Sequence, residues 1–381
     1  KLKEQVYLWK GIRLTGYGHR RPEFVLPKQT EGYSDTAQIR YMVQFCDERP
    51  EKGEPIRDAA NTTFYSGINN INFTIAEGNP GAAAVRFRVA QHSSLENIRF
   101  TLKSGYAAVH HIGNELENCI FSGGRYGIVT QRTSPGWPVL LLNNHFKGQK
   151  NAAIKTHEAG LTCISCTFSE APHVAEVAQN QYEHLFMKQC RFSDISKSAI
   201  TGNRQIHPRH EPMFNPGLNE PYNHYMWIHL QDIHCNNVPQ LLAFREKSNE
   251  KTIRKGRYTV AHLQYGFDVS DRARYGINTR IQIDKWQAPQ EKAGNKPPRL
   301  PKSNRWVNVQ TLGARGNGTF DNTEILRRAI ANYQTLYFPQ GIYRITDSLK
   351  LRKHTKLIGL HPRQTILALP SRLPSFNNAQ A

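Results

Sequence analysis

The chain has 381 residues, 38% of them apolar and 10% aromatic, with 27 glycines and 21 prolines. That is enough apolar surface for a sizeable core, and it excludes a disordered polyelectrolyte. The net charge of +20 attracts polyanions at a distance. No apolar run reaches the roughly 18 residues that a membrane span needs. There is also no zinc-finger spacing, RNA-recognition aromatic motif or dense Lys/Arg block. Neither membrane nor nucleic acid is therefore expected as a partner, and an acidic polysaccharide is another candidate polyanion.

The first element in chain order, residues 8–27, returns without a gap at residues 351–370. Leu8, Lys10, Leu14, Gly16, Arg20, Leu26 and Pro27 meet Leu351, Lys353, Leu357, Gly359, Arg363, Leu369 and Pro370, seven identities in twenty. Two copies of one segment predict the same kind of structure around each. Seven residues precede the first copy and about ten follow the second. The first domain is thus expected to lack its cap and the second to be starting its coils.

Between residues 68 and 200 a shorter unit recurs every 21 to 27 residues: Ile71/Phe73, Ile98/Phe100, Cys119/Phe121, Asn144/Phe146, Cys166/Phe168 and Cys190/Phe192. Residues two apart on a strand share a face, so both members of each pair are expected to point inward. A second pair follows most of them: Ala108/Val109, Gly127/Ile128, Ala153/Ile154 and Ala199/Ile200. Repeats of this length, with short strands and Gly, Asn and Ser turns, predict an all-β fold, the right-handed parallel β-helix. Leucine-rich repeats need a pattern that is absent, and propeller blades need about 40 residues. In this register Cys119, Cys166 and Cys190 stack as small interior hydrophobes, with Cys163 beside them. No metal or other cofactor is expected.

Residues 205–230 break the period. They read as an inserted loop with His207 and His210, and with Tyr222, Tyr225 and Trp227 able either to stack on sugar rings or to cover the core. The domains are expected at 1–287 for a first β-helix, 288–304 for a Pro/Lys-rich linker, and 305–381 for the cap and first coils of a second, tandem one. In the last of these, Asp321 or Thr323 can cap a helix whose apolar face is Ile325, Leu326, Ala329 and Ile330.

Two stretches resemble known families. Gly313-Ala-Arg-Gly-Asn-Gly318 and Phe338-Pro-Gln-Gly-Ile-Tyr343 resemble the entry signature of the pectate-lyase-like β-helix superfamily, with departures at Asn317 and Phe320. Ala84 to Ile98, containing Val89-Ala-Gln-His-Ser-Ser-Leu-Glu-Asn97, is similar to a stretch of glycoside hydrolase family 55. That resemblance implies tandem β-helices, β-1,3-glucan as substrate, a cleft between the helices and a general acid supplied by the second. It also implies that Gln131 helps hold the attacking water.

The coil register nominates a polar stripe after each second strand. Substrate-binding candidates are His110, His111, Arg132, Lys155, His157, Gln179 and Arg204. Hydrolysis of a glycoside needs two carboxyl groups, about 5–5.5 Å apart for retention or about 6.5–9.5 Å for inversion. Glu158 and Glu176, on adjacent coils, are the candidate pair. The expected activity is a glycoside hydrolase cleaving an extended polysaccharide in a groove along or between the helices. The alternatives are a polysaccharide lyase using Lys155, His157, Arg132 and Arg204 on a uronate polymer, and a non-catalytic glycan-binding or phage-tail-type solenoid, which would form a trimer. A monomer, secreted or periplasmic, is expected.

Overall fold

The computed structural model describes residues 1–2, 4–16, 21–132, 138–203, 226–246, 256–271, 274–286, 288, 301–360 and 364–370. The chain divides into two compact units, Lys1–Pro289 and Gln290–Ala381. The first is a parallel β-helix. Each full coil contributes one strand to each of three sheets, here called A, B and C.

Among the described residues sheet A has nine strands, from Val6–Leu8 to Gln240–Phe244, each pairing in parallel with the strand one coil away. Sheet B runs from Arg13–Thr15 through Leu161–Ile164 to His184–Lys188. Sheet C runs from Glu23–Leu26 through His145–Lys147 to Arg191–Ile195. The two merge in one ten-residue strand, Trp227–Asn236, which pairs with both. Ile228 thereby regains the register of Leu185 at the end of the expected loop; residues 205–225 of that loop, with His207 and His210, lie outside the described residues.

The chain then departs from the parallel pattern. Arg257–Asp271 pairs antiparallel with Trp227–Asn236, and Arg274–Lys285 pairs antiparallel with that. This hairpin covers the last parallel strand and ends the sheet on a strand bearing Arg280, Gln282, Asp284 and Lys285, side chains that discourage further pairing.

The interior follows the repeat. Phe24, Phe73, Phe100, Phe121, Phe146, Phe168 and Phe192 occupy one register position on successive coils. Their ring centroids are 4.3 to 5.7 Å apart, and Phe146 lies 4.3 Å from Phe121 and 4.9 Å from Phe168. Two residues earlier stands the column Ile71, Ile98, Cys119, Asn144, Cys166 and Cys190, all buried. Asn144 is the polar member. Its Oδ1 accepts from the Cys119 amide at 2.8 Å and its Nδ2 donates to the Leu116 carbonyl at 2.9 Å, so its burial leaves neither group unpaired. All six cysteines are free and buried, Cys163 among them, and burial pushes the thiols of Cys119 and Cys235 up to about 12.

The corner between sheets B and C is a two-residue link in six coils. Asn70, Asn97, Asn118, Asn143, Ser165, Gln189 and Asp232 all adopt left-handed backbone there, φ 51 to 59°. Asn and Asp tolerate that region best among residues with a Cβ. Side chains bridge coils along the corner, as where Asn143 Nδ2 donates to Asn118 Oδ1 at 2.6 Å.

In the second unit two three-stranded parallel sheets and the helix Thr323–Asn332 enclose a core of Val309, Leu326, Ala329, Ile330, Leu336, Phe338 and Tyr343. Asn322 is the N-cap residue, and its side chain instead ties Arg315, Phe320 and Arg344 together. Asp321 does the capping, accepting from the Thr323 amide at 3.0 Å and from its hydroxyl at 2.6 Å. The glycines of the entry signature meet backbone to backbone: a Cβ on Gly316 would stand 2.9 Å from the Gly341 Cα. The long repeat is also structural. Strands Arg13–Thr15 and Glu23–Leu26 of the first copy correspond, to within one residue, to Lys356–Gly359 and Thr365–Ala368 of the second.

Because Phe146 is sandwiched between two parallel rings and has no exposed edge to relax into, Phe146→Ala is expected to cost about 3–5 kcal/mol. Chemical denaturation would show this as a lower midpoint; a midpoint within error of the parent would contradict the stacked core.

Candidate functional site

On the outer face of sheet A the register aligns Gln44, Arg86, His110, Val129, Lys155, Glu176 and Thr201 on consecutive coils. Neighbouring coils stand about 4.8 Å apart, a spacing comparable with one sugar unit. Beside this row lies an outer patch of Ala83, Ala107, Tyr126 and Ala152 with Tyr41 and Tyr106 packed on it. The row therefore has an aromatic floor at its lower end.

Asp58 anchors that end. It lies in the long connection between Arg40–Phe45 and Gly67–Asn69 and accepts from Arg86 Nε at 2.7 Å and Nη2 at 2.6 Å, a bidentate pair. Arg88 Nη1 stands 3.6 Å from the same carboxylate. Arg86 Nη1 also donates to the Tyr41 hydroxyl at 2.9 Å, and that hydroxyl lies 2.9 Å from His110 Nδ1. The rings of His110 and His111 are 4.1 Å apart. Burial, then His111 and Arg86, push His110 down to about 2; burial, then Arg86, push His111 down to about 4. Both imidazoles are neutral at physiological pH, in a setting that opposes their charging.

Farther along, Lys155 and Glu176 are register partners. The Lys155 ammonium lies 5.6 Å from the Tyr126 ring centroid. Glu176 Oε1 pairs with Arg245 Nη2 at 3.1 Å, and Arg245 Nη1 donates to Asn203 at 3.1 Å. Glu158 follows Lys155 by three residues, in left-handed backbone at φ 51°, and pairs with Arg132 at 3.8 Å. The two candidate carboxylates sit on adjacent coils, each held by its own arginine. Glu176 is the more accessible, with 27% of its side chain exposed against 6% for Glu158.

The turn that carries His157 and Glu158 is organised from the next coil by Glu183. Its buried carboxylate accepts from the Ala159 amide at 3.1 Å, Gly160 at 2.8 Å and His184 at 2.9 Å, and from the Thr156 hydroxyl. Burial raises its pKa and these hydrogen bonds work against the rise. Gln131 and His157 are half-buried beside this turn, with Arg132 exposed. Gln179 is exposed in a turn one coil on, and Arg204 lies outside the described residues.

The structure thus gathers His110 and His111 at one end and Lys155, His157, Glu158 and Glu176 at the other. Tyr41, Asp58, Arg86 and Glu183 were not legible as members of the site. Arg86 had a usable signal, because it stands one coil below His110 in the same repeat position. Asp58 had none, since its connection has no periodicity. Among the described residues no group of three or more His, Cys, Asp or Glu is placed to hold a metal ion.

A family model described as rhamnogalacturonase A/epimerase, pectate lyase-like, matches the chain in two stretches, residues 3–199 and 306–372. These make up more than half of its length. The chain belongs to this family. The resemblance to the pectate-lyase-like superfamily is borne out, and the fold is the expected parallel β-helix. The match carries no statement about glycoside hydrolase family 55. No curated protein matches the chain. Membership makes this a pectate-lyase-like, polysaccharide-type scaffold, and within it the outer face of sheet A offers cations, two arginine-held carboxylates and two neutral imidazoles.

Two predictions follow from this chemistry. Below the ordinary histidine value of 6.5 the unfolded chain takes up protons that the folded His111 refuses until about pH 4. Stability should therefore fall as pH drops through that window, and His111→Asn, which suits the left-handed backbone at φ 56°, should make the fall shallower. Denaturation midpoints at pH 7 and at pH 5 measure it, and an unchanged slope would contradict the assignment. Glu183→Ala leaves the Ala159 and Gly160 amides without their acceptor, at about 1–3 kcal/mol for each such group. Thermal unfolding should show a loss of that order.

Proposed function

We propose that the protein is a glycoside hydrolase that binds an extended acidic polysaccharide along the outer face of sheet A and cleaves it there. The observation that carries this reading is the in-register row of Arg86, His110, Lys155 and Glu176, edged by Arg88, Arg132 and Glu158. Arg86 and Lys155, three coils apart in this row, suit carboxylates spaced along a polymer, and the net charge of +20 would speed its capture. The family description, rhamnogalacturonase A/epimerase, agrees with a uronate-containing substrate. It favours such a polymer over the β-1,3-glucan implied by the likeness to family 55.

Hydrolysis asks one carboxyl group to protonate the leaving oxygen and another to activate water or attack the sugar. Glu158 and Glu176 take these parts in this reading, the more accessible Glu176 facing water. Arg132 and Arg245 fix their orientation, and Gln131 lies next to Arg132 on the same connection. A polymeric substrate of this kind is met outside the cytoplasm, so the protein works as a secreted or periplasmic monomer.

One observation favours a second reading, a polysaccharide lyase. Elimination needs a neutral base beside cations that balance the uronate carboxylate. Arg86 and Lys155 of the row would supply such cations, with His157 two residues beyond Lys155 as a candidate base.

Incubating the full chain with rhamnogalacturonan, polygalacturonate and neutral β-glucans separates these readings. Hydrolysis releases reducing ends without new ultraviolet absorbance, and elimination produces both. Glu176→Gln and Glu158→Gln are each expected to lower the rate by roughly 10²–10⁴-fold. Turnover untouched by both substitutions would overturn the assignment of the pair. A stable trimer that binds polymer and releases nothing would point to a binding solenoid instead.

A further inference from the structure

A concave surface lies on the outer face of sheet B. It is a cavity of about 440 Å³ lined by Thr162, His184, Phe186, Trp227, His229 and Gln264 among others. The volume is in the range of small-ligand sites, about 300–1,000 Å³. Two neighbouring rows build it. Thr162, Phe186, His229 and Gln264 are register partners on four successive strands, and His184 and Trp227 are partners in the row beside them. The last strand of the first row belongs to the antiparallel hairpin, so the hairpin also forms a wall.

Trp227 is 50% exposed. Its indole leans on the His184 ring, centroids 5.4 Å apart, and the rings of Phe186 and His229 meet edge to face at 5.4 Å. Gly266 leaves room for the indole, since a Cβ there would stand 3.1 Å from Trp227 Cδ1. The hydrogen-bonding side chains on this face are the Thr162 hydroxyl, the His184 and His229 imidazoles, the Gln264 amide and the Trp227 indole N–H. Among the described residues lining the cavity there is no Lys, Arg, Asp or Glu.

An open indole face with a few polar groups at its rim, none of them Lys, Arg, Asp or Glu, matches the apolar face and hydroxyl edge of a pyranose ring. We propose that this cavity is a second glycan-binding site, specific for an uncharged sugar unit and separate from the cationic row on sheet A. It does not depend on the chemistry assigned to sheet A. A polymer that alternates charged and neutral sugars, or carries neutral branches, would be held by both faces.

The test is calorimetric titration of the full chain with uncharged oligosaccharides of rhamnose and of β-1,3-linked glucose, and with oligogalacturonate, at low and high salt. At least one uncharged probe is expected to bind saturably with an affinity that salt leaves unchanged. Trp227→Ala and the filling substitution Thr162→Tyr are each expected to weaken it at least tenfold. Glu176→Gln should leave it intact, which separates this site from the one on sheet A. The proposal is overturned if neither uncharged probe binds, if both cavity variants bind as the parent does, or if only oligogalacturonate binds and salt abolishes it.

Discussion

The constraint on which the first unit depends is that every coil must return to the same register one strand spacing higher. Backbone pairing between coils enforces this, and the left-handed residue at the corner between sheets B and C makes the return possible. At that corner the Asn97 amide donates to the Glu117 carbonyl and the Asn118 amide to Leu142, each at 3.0 Å, so the turn is itself part of the ladder. A slip of one residue would turn Phe121 and Cys119 outward together. The phenylalanine stack and the interior cysteine column therefore have one cause.

The same register places chemistry on the outside. Once Val109, Ile154 and Ile200 are fixed inward, the residues that follow them along sheet A fall into a row across the coils. What varies from coil to coil is the connection after sheet A. The link carrying Asp58 is long, and the Glu158 turn is short and pinned from the next coil by Glu183. Rigid strands fix the spacing of Arg86, His110, Lys155 and Glu176, and irregular links supply their partners. Asp58 sets the orientation of Arg86, and Arg245 that of Glu176.

Much of the fold was legible because periodicity is a one-dimensional signal. The Phe spacing gave sheet C its interior column, the small-plus-branched pairs gave sheet A, and the aligned segments 8–27 and 351–370 gave corresponding strands in the two units. The antiparallel hairpin Arg257–Lys285 was not legible, since strand direction leaves no mark on the alternation of side chains. The outer row could be read only as a list of positions. Which side chains meet across coils depends on contacts such as Tyr41 to His110, 69 positions apart, and no local pattern encodes them. In the second unit the sequence offered Asp321 or Thr323 as the helix cap. The choice fell to Asp321 because Asn322 is drawn into the strand junction around Arg315 and Arg344.

The corner between sheets B and C has a further consequence. In the six coils from Gly67 to Ile195 two residues separate the strands of those sheets, as between Glu117 and Ile120 or Lys188 and Arg191. A longer link there would break the chain of side-chain bridges that Asn118 and Asn143 begin. In this chain the long links are accordingly those around sheet A, such as the one from Phe45 to Gly67. Links of different length there would reshape the surface where a polymer would lie while the stacked core keeps its geometry, so such a solenoid can exchange one sugar specificity for another without relearning how to fold.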